Sequence, residues 1–514
     1  MASVVILAAA CGTIAAVLVA RAGLTLSHYD ARGHLVVARR IVDSLTPGWQ
    51  QIGVVWLPLP HLVNAIPAQI DPLYQTGAAA VVVSVASFAL AAGAIAWIVS
   101  RISEALWPAA AAAFVFVLNP NLLYLQSTPM TEPLMLGLTL AAVAMLVEWC
   151  VDDRRADPPA YAREDDHTSY GERQSAQARR RQVRPNRGDD SRVRRIGIVF
   201  ALACLTRYDA WPVTVIALAG AVLTRRASRS FAGAVAQVMP IALYPMATIA
   251  GFLLFSRVVG GQWFASGFFV PENPAIGHPG AAANQILTGV RSLGGNWTTV
   301  VALVGLLGLL ARGLLIDAGA FTLVALAPAA AAVVPWIAFL QGHPHRVRYM
   351  VPLLAAQAIG VGAAAGRWRQ AAPVAAAVLM IVAGLELAPM YGAAPMTAEA
   401  QWDLPNAAAR HRVTACLDRE YDGTTIMASM GSLGHYMQEL SRSRLAISDF
   451  LHEGNGDLWL SAIVRARPFA GWVLVEEYAE GGDILAATAR ENPRLLDGFS
   501  RVCEGGGVAL YRRN

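Results

Sequence analysis

Eleven apolar stretches alternate with polar segments along this chain. A helix that crosses the hydrocarbon core of a bilayer, about 30 Å thick, needs roughly 20 mostly apolar residues. The stretches lie at 3–26, 76–100, 108–126, 131–150, 196–208, 210–224, 231–256, 297–311, 314–340, 349–366 and 371–391, and the fifth and eighth are short. The pattern predicts a polytopic α-helical membrane protein with about eleven transmembrane helices.

Arginine marks one side of the predicted bundle. Cytoplasmic loops of membrane proteins retain positive charge, and the Arg residues here fall between alternate spans: Arg101, those of the block 154–195, Arg225, Arg226, Arg229, Arg312, Arg367 and Arg369. We therefore expect a cytoplasmic N-terminus and an extracytoplasmic C-terminus. The segments 27–75, 119–131, 257–296 and 341–348 then lie on the external side.

Two regions differ in composition from the apolar spans. The segment 152–195 is rich in Arg, Asp, Glu, Ser and Gln, which predicts a disordered cytoplasmic loop inside a membrane domain of residues 1–395. In residues 396–514, short β-like runs alternate with helical ones, which predicts a small extracytoplasmic α/β domain. Cys416 and Cys503 both lie there, so we expect them to pair in an oxidising compartment. The turn Gly431–Gly434 either seats an anion at a helix N-terminus or is an ordinary strand-to-helix turn.

Composition excludes several classes of protein. The chain has 514 residues, 56% of them hydrophobic, and a mean hydropathy of +0.46, which is too apolar for a soluble multidomain protein. All 40 basic residues are Arg. Lys is therefore excluded as a nucleophile or Schiff base, and Arg remains to bind anions. The sequence contains neither a phosphate-binding loop nor a dinucleotide fingerprint, and we predict no nucleic-acid partner.

The first external segment, 27–75, is unusually long for a connection between spans. Ala31–Leu45 has apolar residues at helical spacing and predicts an amphipathic helix lying in the membrane interface. Asp30 directly precedes it. Such a carboxylate can act as a base on an acceptor that meets a lipid-borne donor, or it can cap the helix.

Two more polar groups lie at the external ends of predicted spans. Glu132 stands at the mouth of the fourth span, where a carboxylate is costly unless it is paired or solvated. The corner Arg207, Tyr208, Asp209 and Trp211 either solvates a tight turn or binds substrate, with Arg207 on a phosphate and the two aromatic rings on a sugar or isoprenoid.

The loop before the tenth span is the strongest candidate for anion binding. It contains His343, His345, Arg346, Arg348 and Tyr349, and positive charge in an external loop has no topological purpose. Two Arg side chains can grip a lipid phosphate through paired hydrogen bonds; alternatively they extend to phospholipid headgroups. A zinc or manganese site built from the two His and Asp30 is a further alternative, but this spacing is no recognised ligand pattern, so no metal cofactor is predicted.

The loop 257–296 is rich in aromatic residues, Gly and Pro. Its Gln262–Phe264 and Phe268–Phe269 either cover an isoprenoid groove, stack on a sugar, or form an interfacial aromatic belt. His61 ends the turn that begins at Trp56 in the first external segment and is a candidate substrate-binding residue.

Three of these motifs together resemble the GT-C superfamily of membrane glycosyltransferases. They are Tyr29-Asp30-Ala31-Arg32 after the first span, the Gly-x-x-Trp-x-Pro-Leu-Pro-His turn of residues 53–61, and the Arg-x-Arg-Tyr-x-x-Pro pattern of residues 346–352. The chain is most similar to bacterial relatives of the dolichyl-phosphate-mannose protein mannosyltransferases and of the lipid A aminoarabinose transferases. The resemblance implies a GT-C-like fold in the bacterial inner membrane. It also implies that Asp30 is catalytic and that the acidic and basic motifs described above bind substrate. Many members carry an acidic residue beside the first, where this chain has Ala31.

These observations predict an inverting glycosyltransferase. It would move a sugar from a polyprenyl-phosphate carrier to a protein, lipid or polysaccharide acceptor on the external face of the bilayer. Two alternatives stay open: a transporter or flippase of lipids or lipid-linked sugars, and a noncatalytic envelope scaffold.

Overall fold

The computed structural model describes residues 1–156, 187–226, 230–264, 271–316, 319–367, 369–387, 393–478 and 482–514. In chain order the helices are α1 Ala2–Arg21, α2 Tyr29–Arg40, α3 Leu59–Asn64, α4 Asp71–Thr76, α5 Ala78–Ser103, α6 Leu106–Val117, α7 Pro120–Leu125, α8 Glu132–Ala156, α9 Arg187–Cys204, α10 Ala210–Arg226, α11 Phe231–Gly260, α12 Pro279–Gly294, α13 Asn296–Leu315, α14 Thr322–Ala325, α15 Val333–Leu340, α16 Leu353–Ala365, α17 Ala372–Leu387, α18 Pro395–Ala400, α19 Leu404–Glu420, α20 Met430–Leu440, α21 Asp457–Ala462 and α22 Ile484–Glu491. The strands are β1 Ile426–Ala428, β2 Phe450–Leu451, β3 Trp472–Glu476, β4 Phe499–Gly505 and β5 Val508–Arg513.

The fold is a bundle of apolar helices with a small sheet domain at one end. Among the described residues, six helical segments are long and apolar enough to cross a membrane: Ala2–Arg21, Ala78–Ser103, Glu132–Asp152, Phe231–Gly260, Asn296–Leu315 and Thr322–Leu340. The helices Leu106–Val117, Leu353–Ala365 and Ala372–Leu387 are apolar but shorter. The protein is therefore a multi-pass membrane protein, and the number of eleven spans stays a prediction.

Small residues let the helices of the bundle pack closely. In α13, a Cβ atom added to Gly305 would overlap the carbonyl oxygen of Gly360 in α16. In α8, a Cβ atom on Gly137 would lie 2.7 Å from the carbonyl oxygen of Ser87 in α5. Membrane helices associate largely through such close backbone packing. These contacts hold the frame from which the loops extend.

The C-terminal domain and α2 lie at the same end of the bundle, which we call the domain end. At the opposite end, Arg101 pairs with Glu148 at 2.5 Å, Arg312 donates to the carbonyl of Ile102 at 2.9 Å, and Arg369 pairs with Glu104. The Arg residues that marked one side of the predicted bundle thus lie away from the domain end.

Two predicted loops are shorter than expected. Helix α8 continues to Ala156 and α9 begins at Arg187, so both ends of the predicted disordered segment 152–195 are helical, and Arg192 pairs with Asp152 at 2.7 Å. Backbone hydrogen bonds within a helix do not depend on the bilayer, so a helix can continue past it. Residues 157–186 lie outside the described part of the chain. In the predicted loop 257–296, α12 is an amphipathic helix, and Phe268 and Phe269 lie outside the described residues.

The predicted interfacial helix also differs from expectation. It begins at Tyr29 and ends at Arg40, five residues before Leu45, and its apolar side chains contact protein instead of lipid. Leu35 and Val36 are 4% and 1% exposed and belong to one core with Leu433 and Tyr436 of the C-terminal domain. An amphipathic pattern records only that one face is buried, and here the C-terminal domain covers that face.

The C-terminal domain is α/β, with a five-stranded sheet in the order β2-β1-β3-β5-β4. Strand β1 runs parallel to β2 and β3, whereas β5 is antiparallel to both β3 and β4. The prediction missed β4, whose residues are mostly exposed at the sheet edge and lack a clear apolar alternation. A disulfide joins Cys416 of α19 to Cys503 of β4, which confirms the predicted pair.

The Gly431 turn binds an internal carboxylate. The Glu453 side chain accepts a hydrogen bond from the Met430 backbone N–H at 2.7 Å, at the N-terminus of α20. The positive end of the helix dipole is thereby neutralised within the chain. The structure therefore favours the ordinary-turn interpretation over the external anion site.

Candidate functional site

Asp30 lies in the first turn of α2 at the domain end. His28 caps the helix, because its ring Nδ1 accepts a hydrogen bond from the Asp30 backbone N–H at 3.1 Å. The prediction that Asp30 is the cap is therefore wrong. Its carboxylate is free to point away from the helix end, and it is buried, with 6% of its surface exposed.

Arg348 is the partner of Asp30. It lies in the short 3-10 helix Val347–Met350, is 7% exposed, and forms an ion pair with the Asp30 carboxylate. The Nε atom of Arg348 is buried and has no hydrogen-bond partner among the described residues. An Arg side chain with an unused buried donor is suited to an anionic ligand, because an unsatisfied donor is costly in a dry site.

A second acid–Arg group stands beside the first. Glu132 is fully buried and accepts a hydrogen bond from Arg207 Nη1 at 2.9 Å, while Arg207 Nε donates to Asp209 at 2.9 Å. The Glu132 Oε2 atom has no hydrogen-bond partner in the described part of the chain. Arg348 interacts electrostatically with both Arg207 and Glu132, so the two groups form one buried polar site. Buried charges of this kind persist where they are paired.

His28 reports the electrostatics of this site. Burial lowers the pKa of its imidazole to about 3, and the nearby Arg348 lowers it further. The ring is therefore neutral at physiological pH. Because Nδ1 accepts from the Asp30 N–H, the proton of the neutral ring is on Nε2.

The predicted aromatic corner is present next to the polar site. Tyr208 and Trp211 contact each other edge to face at 5.2 Å, and both contact Phe252. Trp211 also lies 6.2 Å from Phe264, which is 52% exposed. The cluster thus extends from the site to the surface of the bundle.

His61 lies behind the site instead of lining it. It is 1% exposed; its Nδ1 lies 3.1 Å from the Leu57 carbonyl oxygen, and its Nε2 lies 3.1 Å from His34 Nδ1. With Nδ1 donating to the carbonyl, Nε2 accepts from His34, and the Trp56 ring lies against His34 at 4.1 Å. His61 therefore orients α2 through His34.

The loop of residues 343–349 brings its predicted residues to the domain end. The His343 ring lies edge to face with Tyr349 at 5.2 Å, and the His345 ring lies 5.4 Å from Phe339. Burial lowers the pKa of both imidazoles, and Arg346 lowers both further. The two rings lie against different aromatic side chains, and Arg348 occupies the carboxylate of Asp30.

The residues present do not fit a divalent metal site. No group of three or more His, Cys, Asp or Glu side chains in the described part of the chain is placed to hold a metal ion. The position beside Asp30 is Ala31, and the cation that balances Asp30 is the guanidinium of Arg348. We therefore route no chemistry through a metal.

Sequence reasoning missed two residues of the site, Glu399 and Trp402. Glu399 Oε2 accepts a hydrogen bond from the Val347 backbone N–H at 2.7 Å, and Oε1 is buried with no hydrogen-bond partner among the described residues. Burial raises the pKa of this carboxyl group, and Arg348 acts in the opposite direction. The Trp402 ring lies 5.6 Å from Tyr29 and 5.8 Å from Arg346 Cζ. No local motif surrounds either residue, so the sequence offered no signal.

Comparisons with solved structures identify the architecture. ArnT from Cupriavidus metallidurans, solved bound to undecaprenyl phosphate, is 12% identical, with a TM-score of 0.58 over 97% of each chain. ArnT, a lipid A aminoarabinose transferase, belongs to the GT-C superfamily. This chain has the GT-C fold. The Archaeoglobus fulgidus oligosaccharyltransferase in its apo form, also a GT-C protein, is 11% identical, with a TM-score of 0.52 over 100% of this chain and 74% of the other. No family model and no curated protein sequence matches this chain.

Proposed function

We propose that this protein is an inverting glycosyltransferase that uses a polyprenyl-phosphate-linked sugar. The observation that carries the proposal is the buried pair of Asp30 and Arg348, an acid from the first loop and a base from a late loop, at one end of a GT-C fold. The similarity to ArnT, a protein solved with undecaprenyl phosphate, supports a carrier of this class.

In the proposed reaction, Asp30 removes a proton from the acceptor hydroxyl or amide. The acceptor atom then forms a bond to the anomeric carbon of the sugar. The bond between that carbon and the phosphate oxygen breaks, and the carrier phosphate leaves with the electron pair. Arg348 and Arg346, with Arg207 nearby, bind the phosphate and stabilise the charge that develops on it, a contribution that is often the largest in catalysis.

The Asp30–Arg348 ion pair must open during this cycle. In an inverting displacement the acceptor and the leaving phosphate lie on opposite faces of the anomeric carbon, so the base and the phosphate-binding group cannot touch each other. The pair therefore represents the resting state. Donor phosphate competes for Arg348 and thereby frees the Asp30 carboxylate, so the base becomes available only when a donor is bound.

The remaining site residues take supporting roles. Glu132 and Asp209 hold Arg207 and position sugar or acceptor through the unused Glu132 Oε2. Tyr208 and Trp211 line the path toward the membrane that an isoprenoid chain would follow. The neutral His343, together with His345 and Tyr349, shapes the phosphate-binding loop.

We propose that the domain end faces the outside of a bacterial inner membrane. The Arg-rich opposite end would then face the cytoplasm, in accord with the retention of positive charge there. This orientation requires eleven spans, a cytoplasmic N-terminus and an extracytoplasmic C-terminal domain. The acceptor is a protein, a lipid or a polysaccharide of the envelope, and the sugar is a hexose or a pentose.

The test is an envelope glycan and glycoprotein profile of a deletion strain. The strain is complemented with wild type, Asp30→Asn or Asp71→Asn at matched membrane abundance. Asp71 is an Asp of the same external segment with 64% of its side chain exposed, so it is a matched control. We expect wild type and Asp71→Asn to restore a missing sugar and Asp30→Asn to fail. Restoration by Asp30→Asn would refute the mechanism and favour a transporter or a scaffold.

A further inference from the structure

The segment 395–403 crosses over the site on its way from the last apolar helix to the C-terminal domain. It contains α18 and the turn that follows. Through Glu399 it holds the backbone of Val347, between the two Arg residues of the phosphate-binding loop. Three residues later it places Trp402 beside Tyr29, the residue before Asp30.

Trp402 is exposed although it stands in the middle of the site residues. Its exposed fraction is 42%, and its ring meets Tyr29 at an interplanar angle of 84° while Arg346 lies over its face. Trp297 and Trp263 are more exposed, at 68% and 56%. Trp402 differs from these because two of its neighbours flank Asp30 and Arg348.

The geometry of inversion gives this position a meaning. The transferred sugar must lie between the group that activates the acceptor and the group that binds the phosphate. Tyr29 adjoins the first group and Arg346 adjoins the second. A side chain that contacts both of these neighbours therefore borders the volume that the sugar occupies once the Asp30–Arg348 pair has opened.

We propose that Trp402 is the sugar-binding residue of the donor site. The inference rests on the proposed function and deepens it. One face of a pyranose or furanose ring presents C–H groups, and the indole carries negative charge density on its faces and offers a large rigid apolar area. Arg346, which lies over the ring, orients the indole and keeps it next to the phosphate. Specificity for the sugar would then arise from the C-terminal segment, and affinity for the carrier from the phosphate-binding loop.

The test separates the sugar from its carrier. Binding is measured for purified full-length protein in nanodiscs with undecaprenyl phosphate alone. It is then measured with undecaprenyl phosphate bearing mannose, glucose or arabinose, and the sugar that wild type binds most tightly is used for the variants. The variants are Trp402→Ala, Trp402→Phe and the control Trp297→Ala, whose exposed ring lies at the start of α13.

We expect Trp402→Ala to weaken binding of the sugar-bearing carrier by about tenfold, the upper range for an aromatic contact. Its affinity for undecaprenyl phosphate alone should equal that of wild type, which also shows that the variant is folded. Trp402→Phe should recover most of the loss, and Trp297→Ala should behave as wild type.

Two results would overturn the inference without touching the proposed function. One is an equal loss of affinity for the bare and the sugar-bearing carrier in Trp402→Ala. The other is no loss for either. If wild type binds neither carrier form, the proposed function itself is wrong and the inference fails with it.

Discussion

Asp30 and Arg348 neutralise each other in a place where water has little access. A buried charge that loses its partner is destabilising by several kcal/mol, so each residue stabilises the other until a ligand replaces one of them. The same pair that makes the resting protein stable also keeps the base inactive. A lipid phosphate is the kind of ligand that can take over the guanidinium without leaving a buried charge unpaired.

Glu399 gives a prediction about the phosphate-binding loop. Glu399→Ala removes the acceptor of the Val347 N–H and should weaken binding of undecaprenyl phosphate by roughly tenfold, the effect of losing one charged hydrogen bond. Glu399→Gln keeps an oxygen acceptor of the same shape and should bind as wild type does. The measurement is a dissociation constant in nanodiscs, with the exposed Glu272→Ala as control.

Equal affinity of Glu399→Ala and wild type would show that the loop keeps its conformation without this hydrogen bond. A loss in Glu399→Gln as large as in Glu399→Ala would assign the effect to charge instead of to positioning.

Glu476 gives a prediction about pH. Burial raises the pKa of this carboxyl group, at the end of β3, to about 8, and Asp483 and Asp403 contribute while Arg410 opposes them. The folded domain therefore holds a proton that the unfolded chain releases near the ordinary pKa of about 4.3. The stability that this proton contributes is complete below that value and is lost as the pH rises to about 8. Glu476→Gln should remove this loss.

The measurement is the midpoint of thermal unfolding of the full-length protein in detergent across this pH range. Glu491→Gln, an exposed residue of the same domain, is the control. A midpoint that falls with pH equally in wild type and Glu476→Gln would mean that another group is responsible.

At the scale of elements, α2 is held by charges as well as by its apolar face. Arg410 of α19 is 1% exposed and donates to Asp403 at 2.7 Å and to Glu439 of α20 at 3.0 Å. Glu439 also pairs with Arg32 of α2. One buried guanidinium thus connects the C-terminal domain to the helix that carries Asp30.

Arg410→Ala should therefore destabilise the protein by about 3–5 kcal/mol, because it leaves two carboxylates without their buried cation. Urea unfolding of the detergent-solubilised protein measures the change in the free energy of unfolding. Arg412→Ala removes an exposed Arg two residues away and should change it by less than about 0.5 kcal/mol. A change below about 1 kcal/mol for Arg410→Ala would contradict this role.

The accuracy of sequence reasoning also differs between elements. Long apolar runs identified most of the membrane helices because lipid forces every backbone group to be satisfied within the helix. The amphipathic run after Asp30 was correctly predicted as a helix, but its partner was not, because a moment does not distinguish lipid from protein. Strand β4 was missed because an exposed edge strand needs no apolar alternation.

At the scale of the whole molecule, the site combines distant parts of the chain. Asp30 and Arg348 could be proposed as partners because each stood out in its own loop and because the family resemblance joined them. Glu399 and Trp402 could not, because their contacts arise only when the chain after the last apolar helix folds back over the site. An ordinary Glu and an ordinary Trp in an unremarkable segment carry no local pattern.

The dependence of α2 on the C-terminal domain also sets an order of events during biosynthesis. Helix α2 leaves the ribosome among the first residues of the chain, whereas the surface that covers Leu35 and Val36 is made last. Its apolar face stays uncovered until residues 404–440 have been translocated and folded, and the Cys416–Cys503 disulfide can form only after that. A chain that stalls within the bundle therefore exposes an apolar helix and lacks Glu399 and Trp402. Quality control of membrane insertion and the onset of sugar binding thus depend on the same late folding step.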